Sequence, residues 1–145
     1  MAVGGWLVWD EAELDRLLNS KEGPVGRDLS RRGTVGAQAA KTLCPVSPRG
    51  SHGRPSGYSR SQIGWELGRD REGLYVDVKN PSTTPDGKPL GLFIEVGTEP
   101  HDIASHGDYP LRNRQTGQVF GRKVRHPGTR AQPHLRPALD VMMQL

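Results

Sequence analysis

The chain has 145 residues, 33% of them hydrophobic, with 19 Gly, 12 Pro and a single Cys. That length and composition suit one domain of ordinary size with a thin core; the single Cys excludes a disulfide within the chain, and no apolar run is long enough to span a membrane. The formal charge of +4 is scattered without a run of five like charges, so contact with nucleic acid or an acidic surface is permitted but not required.

The opening Met1-Ala2-Val3-Gly4-Gly5-Trp6 lacks the basic and apolar regions of a secretion signal. With one thiol, synthesis in a reducing cytosol is the expectation. Asp10 is placed to cap a first helix, with Glu13 completing a capping box and Leu14, Leu17 and Leu18 on one face. Lys21-Glu22-Gly23-Pro24 ends it, which sets residues 1–24 off as an N-terminal helical segment.

A second helix is predicted from Val25 to Leu43, with apolar positions at Val25, Leu29, Val35, Ala39, Ala40 and Leu43. Gly33 and Gly36 weaken it, each by up to about 1 kcal/mol relative to Ala. Small residues there suggest close packing against another element or another subunit. Cys44-Pro45 closes the helix, since a residue before proline avoids helical geometry, and Cys44 reads as a small buried hydrophobe. Residues 45–61 are dominated by Pro, Gly, Ser and Arg and read as a long flexible loop, with His52 in solvent.

The period then becomes two. Ile63, Trp65 and Leu67, followed by Leu74, Val76 and Val78, read as a β-hairpin with one buried face. Residues 80–89 form a second flexible loop turning at Pro85-Asp86-Gly87. Leu90, Leu92, Ile94 and Val96 alternate as a third strand, or as a strand running into a short helix. His101 to Thr116 shows no pattern. Gln118 to Arg125 reads as a short strand with Val119 and Val124 in the core. A last helix runs from Pro133 to Leu145 with Leu135, Ala138, Leu139, Met142 and Leu145 as its stripe. The order predicts a single α+β domain over 1–145: N-terminal helices, a small antiparallel sheet with long loops, and a C-terminal helix.

Chemistry is sparsely written. Four of five histidines, His101, His106, His126 and His134, fall in the last 45 residues. Their spacings are not those of helical or finger zinc sites, and no Cys pair accompanies them. No nucleophile elbow, paired-carboxylate cleft, phosphate loop or nucleic-acid signature appears. The expectation is no catalytic, cofactor or metal residue.

Two stretches stand out: Glu95-Val96-Gly97-Thr98-Glu99-Pro100-His101-Asp102-Ile103, and Val124-Arg125-His126-Pro127-Gly128-Thr129 continuing to Pro133-His134-Leu135-Arg136-Pro137-Ala138-Leu139. They resemble, in order and spacing, the V-E-x-G-T-x-P-H-x-I and V-x-H-P-G-T-x-A-x-P-F-L-x-P-A-L signatures of a family of tail-component, or neck, proteins of long-tailed phages. A third feature, Ala40 to Val46 followed by Tyr58 to Ile63, is similar to that family's Ala-rich helix, loop and serine-containing segment. Cys44, Phe93 and His134 depart from the family pattern, and the changes at Cys44 and His134 read as tolerated packing substitutions.

The resemblance implies a virion protein without enzymatic activity, made in the host cytoplasm. It would form a sixfold or twelvefold ring of copies at the junction of head and tail. Its neighbours would be other neck and tail-tube proteins, with packaged DNA in the lumen and no membrane or cofactor. Glu95, Gly97, Thr98, Pro100, His101, His126, Pro127, Gly128, Thr129 and Pro133 are then structural or interface residues. In that reading Gly97 and Gly128 take positive φ, the threonines bond nearby amides, and the prolines stiffen the exits. Pro133 starts the last helix. His101 and His126 donate to carbonyls or pair with Asp102 or Glu95. The alternatives are a basic DNA-binding accessory protein and, less favoured, a metal-dependent enzyme using His101, His106 and His126.

Overall fold

A computed structural model describes residues 8–50, 52–114 and 116–145; residues 1–7, read above for the lack of a signal, lie outside that description. The elements in order are α1 (Glu11–Asn19), α2 (Pro24–Leu43), α3 (Tyr58–Gln62), β1 (Gly64–Arg69), β2 (Leu74–Lys79), α4 (Leu90–Val96), β3 (His101–Ala104), β4 (Leu111–Arg112), β5 (Val119–Gly121), β6 (Lys123–His126) and α5 (Leu135–Met143). The class is α+β. The strands form three antiparallel two-stranded ladders, β1-β2, β3-β6 and β4-β5.

α2 is the centre of the fold. Its buried positions are Gly26, Gly33, Gly36, Ala37 and Ala40, whereas Leu43, expected on the apolar face, is exposed. Small residues are buried because the neighbours come unusually close. A Cβ on Gly33 would sit 2.7 Å from the Trp65 ring and from Val76, and one on Gly36 would strike the Met142 side chain. The close packing expected of these glycines is therefore made within the chain, against the β1-β2 hairpin and α5. The hairpin pairs Trp65 with Val78 and Leu67 with Val76. Ala37, Ala40, Cys44, Ile63 and Ala138 form the core cluster. Burial pushes the Cys44 thiol above its ordinary range against smaller opposing pulls from Ser59 and Arg60.

The Asp10 half of the expected capping box forms: Asp10 accepts from the Ala12 and Glu13 amides at 3.0 and 3.1 Å. Yet α1 buries no residue, and Leu14, Leu17 and Leu18 are all exposed.

Several expectations are corrected. Residues 90–96 form α4 rather than a strand; their i, i+2 alternation also fits a short helix between Pro89 and Gly97, the latter at φ +75°. The patternless 101–116 stretch contains β3 and β4. Val119 and Leu139 are 51% and 54% exposed and belong to no core; Leu145 is also exposed. The 45–61 segment is not loop throughout, because α3 begins at Tyr58 and buries Ser59. Arg54 anchors it to the second loop by donating to the carbonyls of Thr83 and Thr84 at 2.9 and 3.2 Å.

Candidate functional site at the root of a β arm

The two conspicuous stretches are the two ends of one structure. Between them the chain leaves the body, reverses between Asn113 and Gln118, whose backbones bond at 2.8 Å, and returns, paired with itself. His101 to Ala104 lie opposite His126 to Lys123; farther out, Leu111 and Arg112 lie opposite Gly121 and Val119. The ribbon's principal packing is with itself, and every residue of β3 and β5 is exposed. A two-stranded ribbon alone is marginal in water, so its root must be firmly held.

The root is held by Gly97-Thr98 and Gly128-Thr129. Thr98 and Thr129 exchange backbone bonds at 3.0 and 3.1 Å. Their hydroxyls meet at 2.9 Å, and the Thr129 amide also donates to the Thr98 hydroxyl at 3.0 Å. Both glycines have positive φ, +75° and +84°, as expected. Each also permits a close backbone crossing. A Cβ on Gly97 would lie 2.5 Å from the Thr129 carbonyl oxygen, and one on Gly128 would strike the Thr98 carbonyl.

His101 and His126 form the next rung, with ring centroids 5.0 Å apart. The His101 Nδ1–H donates to the Glu99 carbonyl at 2.8 Å, as expected. His126 does the reverse: its Nδ1 accepts from the Gly128 amide at 3.1 Å. Neither His is among Glu95's hydrogen-bond or ion-pair partners. Asp102 binds Lys123 at 2.9 Å and Arg125 at 3.4 Å across the ladder. Lys123, ahead of its neighbours, holds the Asp102 carboxyl below its usual range.

Glu95 serves α5. Its Oε2 accepts from the His134 and Leu135 amides at 2.8 and 2.9 Å, and its Oε1 from the Arg136 amide at 3.0 Å. A carboxylate from α4 thus caps a helix some forty residues later. Burial opposes the charge on Glu95, but the three amides and the His134 ring outweigh it and hold the carboxyl below its usual range. Pro133 precedes α5 rather than opening it, because its N-cap is His134.

His134, read from the sequence as a tolerated packing substitution, is the functional-looking residue of the structure. It is fully buried. Its Nδ1 lies 3.0 Å from Glu95 Oε2, and its Nε2 lies 2.9 Å from Asn80 Nδ2. Asn80 has an amide to donate, so Nε2 accepts and Nδ1–H points to the carboxylate. Asn80 also donates to Ser59 at 3.0 Å, and Ser59 meets Ser82 at 2.8 Å. Glu95 and His134 have the arrangement of a catalytic dyad, but the outer nitrogen is spent on Asn80 and no solvent reaches the ring. What the network does is join α3, the second loop, α4 and α5. Asn80 opens the second loop, 54 residues before His134, and no local signal ties the two.

A cleft of about 860 Å³ lies beside the root. Thr98, His101, His126 and Thr129 line it together with Tyr58 and Phe93. Glu95, Gly97, Pro100, Pro127, Gly128 and Pro133 do not line it. Among the described residues, no three His, Cys, Asp or Glu side chains are grouped to hold a metal, and no helix is long and apolar enough to cross a membrane. The chain matches no family model, no curated protein and no solved structure.

Proposed function

We propose that this chain is a non-catalytic subunit of a phage neck or upper tail, a head–tail connector or tail-completion protein that forms a ring of its own copies. The reading starts from the resemblance of its two bend motifs to that family. The observation that carries it is unfinished burial. The chain exposes 10954 Å², whereas a compact monomer of 15.9 kDa exposes about 7,400 Å². Setting aside about 1,400 Å², the most that the residues outside 8–50, 52–114 and 116–145 can expose, still leaves most of the excess. The remaining surface, roughly 2,000 Å², is of the order that subunits hide in permanent assemblies. Exposed Leu92, Val96, Leu139 and Met143 belong to it.

A DNA-binding accessory role is the second reading, favoured by the net charge. Salt separates the two: affinity for free duplex falls steeply with ionic strength, while association through apolar contacts persists. The deciding experiment removes the coding sequence from the phage or prophage that carries it. The neck reading expects filled heads and separate tails in electron micrographs; joined, infective particles would overturn it.

A further inference from the structure

The arm has an apolar face with nothing on it. Ile103, Leu111, Phe120, Val124 and Pro127 line a shallow groove of about 420 Å³, together with Arg112, Asn113, Arg125 and His126. The ribbon from His101 to His126 carries five basic side chains, Arg112, Arg114, Arg122, Lys123 and Arg125, against Asp102 and Asp108. That accounts for +3 of the chain's +4. The opposite character stands on α1 and its cap, where Asp10, Glu11, Glu13 and Asp15 outnumber Arg16 for a net −3; Asp15 is paired with Arg69 of β1 at 3.2 Å, which leaves Asp10, Glu11 and Glu13 to face a partner. α1 also presents Leu14, Leu17 and Leu18, 38%, 47% and 44% exposed. An apolar groove with arginines in its lining matches an apolar helical stripe flanked by carboxylates.

We infer that the arm of one copy receives α1 of the next copy in its groove. The inference rests on the ring reading only in taking the partner to be another copy. The contact is heterologous: arm and helix are different surfaces, so each copy can give one and receive the other, as a closed ring requires. Recognition is helix-in-groove, with the leucines as anchors and the charges setting orientation. Duplex DNA fits the arm less well. Arg122, Lys123 and Arg125 are already paired with Asp108 and Asp102, so Arg112 and Arg114 carry the attraction to α1, and an apolar groove offers nothing to phosphates.

Cysteine cross-linking of the full chain tests this. In a Cys44→Ser background, Leu17→Cys and Phe120→Cys placed in one chain should give a ladder of disulfide-linked multimers under mild oxidation. Charge reversal on one side, Glu11→Lys with Glu13→Lys or Arg112→Glu with Arg114→Glu, should cut ladder formation at least tenfold. Combining the two reversals should restore it, which a folding defect would not. No multimers at any concentration, an intramolecular 17–120 disulfide, or duplex binding that depends on Arg112 and Arg114 without a ladder would each overturn the inference. The neck reading fails separately. A ladder from a chain whose loss leaves heads and tails joined keeps this contact and removes that role. A disjoined phage whose chain gives no ladder does the reverse.

Discussion

Gly97 and Gly128 show how much one missing side chain fixes. At either position an L-residue meets both an unfavourable φ and a carbonyl oxygen of the opposing bend. Gly128→Val should therefore destabilise the chain by about 2–4 kcal/mol, read as a fall in urea midpoint, and ring formation should fail with it. Normal stability and assembly by that variant would contradict the role given to the bend. Glu95 makes a pH-dependent claim. Its folded carboxyl titrates below its ordinary range, so its stabilisation is complete above that range and is lost as pH falls through the lowered value. Glu95→Gln should cost roughly 1.5–3 kcal/mol at neutral pH and should flatten the acid side of the stability profile. Equal acid sensitivity in the wild type and the variant would show that the cap is not ionic. The positive φ of both glycines was legible from Gly-Thr beside Pro and His. The burial of His134 was not. Its partners Asn80 and Glu95 lie 54 and 39 residues away, and no local pattern records a contact at that range.

At the scale of elements, α2 sets two rules against each other. Helix propensity alone says that Gly→Ala stabilises by up to about 1 kcal/mol. Packing says otherwise at Gly33 and Gly36, where the new methyl meets Trp65 or Met142. Overpacking of this kind costs about 1–3 kcal/mol, so Gly33→Ala and Gly36→Ala should both lower the thermal midpoint; a rise would mean that α2 stands farther from β1 and α5. The first helix, α2 and the β1-β2 hairpin were legible because cap chemistry and a clean period mark them. Residues 90–96 misled because seven residues are too few to separate a period of two from one of 3.6. β3 and β4 went unseen because a ribbon exposed on both faces needs no alternation. That same ribbon buries little against the body. Replacing 101–126 by a short Gly-Ser linker should leave the body's thermal midpoint within a few degrees, about 1 kcal/mol at this size, while abolishing assembly.

For the whole molecule, the low hydrophobic content correctly signalled a thin core, and the class α+β followed from element order. What the composition could not indicate is where the missing burial lies. The structure puts it on the outer faces of α1, α4 and α5 and along the arm, and the neck proposal assigns those faces to other copies. The measurement that bears most directly on this is cryo-electron microscopy of the intact neck. The account predicts a closed ring of this chain at the head–tail junction, with each arm crossing onto its neighbour and Thr98 and Thr129 still paired at the root. A junction without the chain, or a ring in which every arm lies back on its own body, would contradict it.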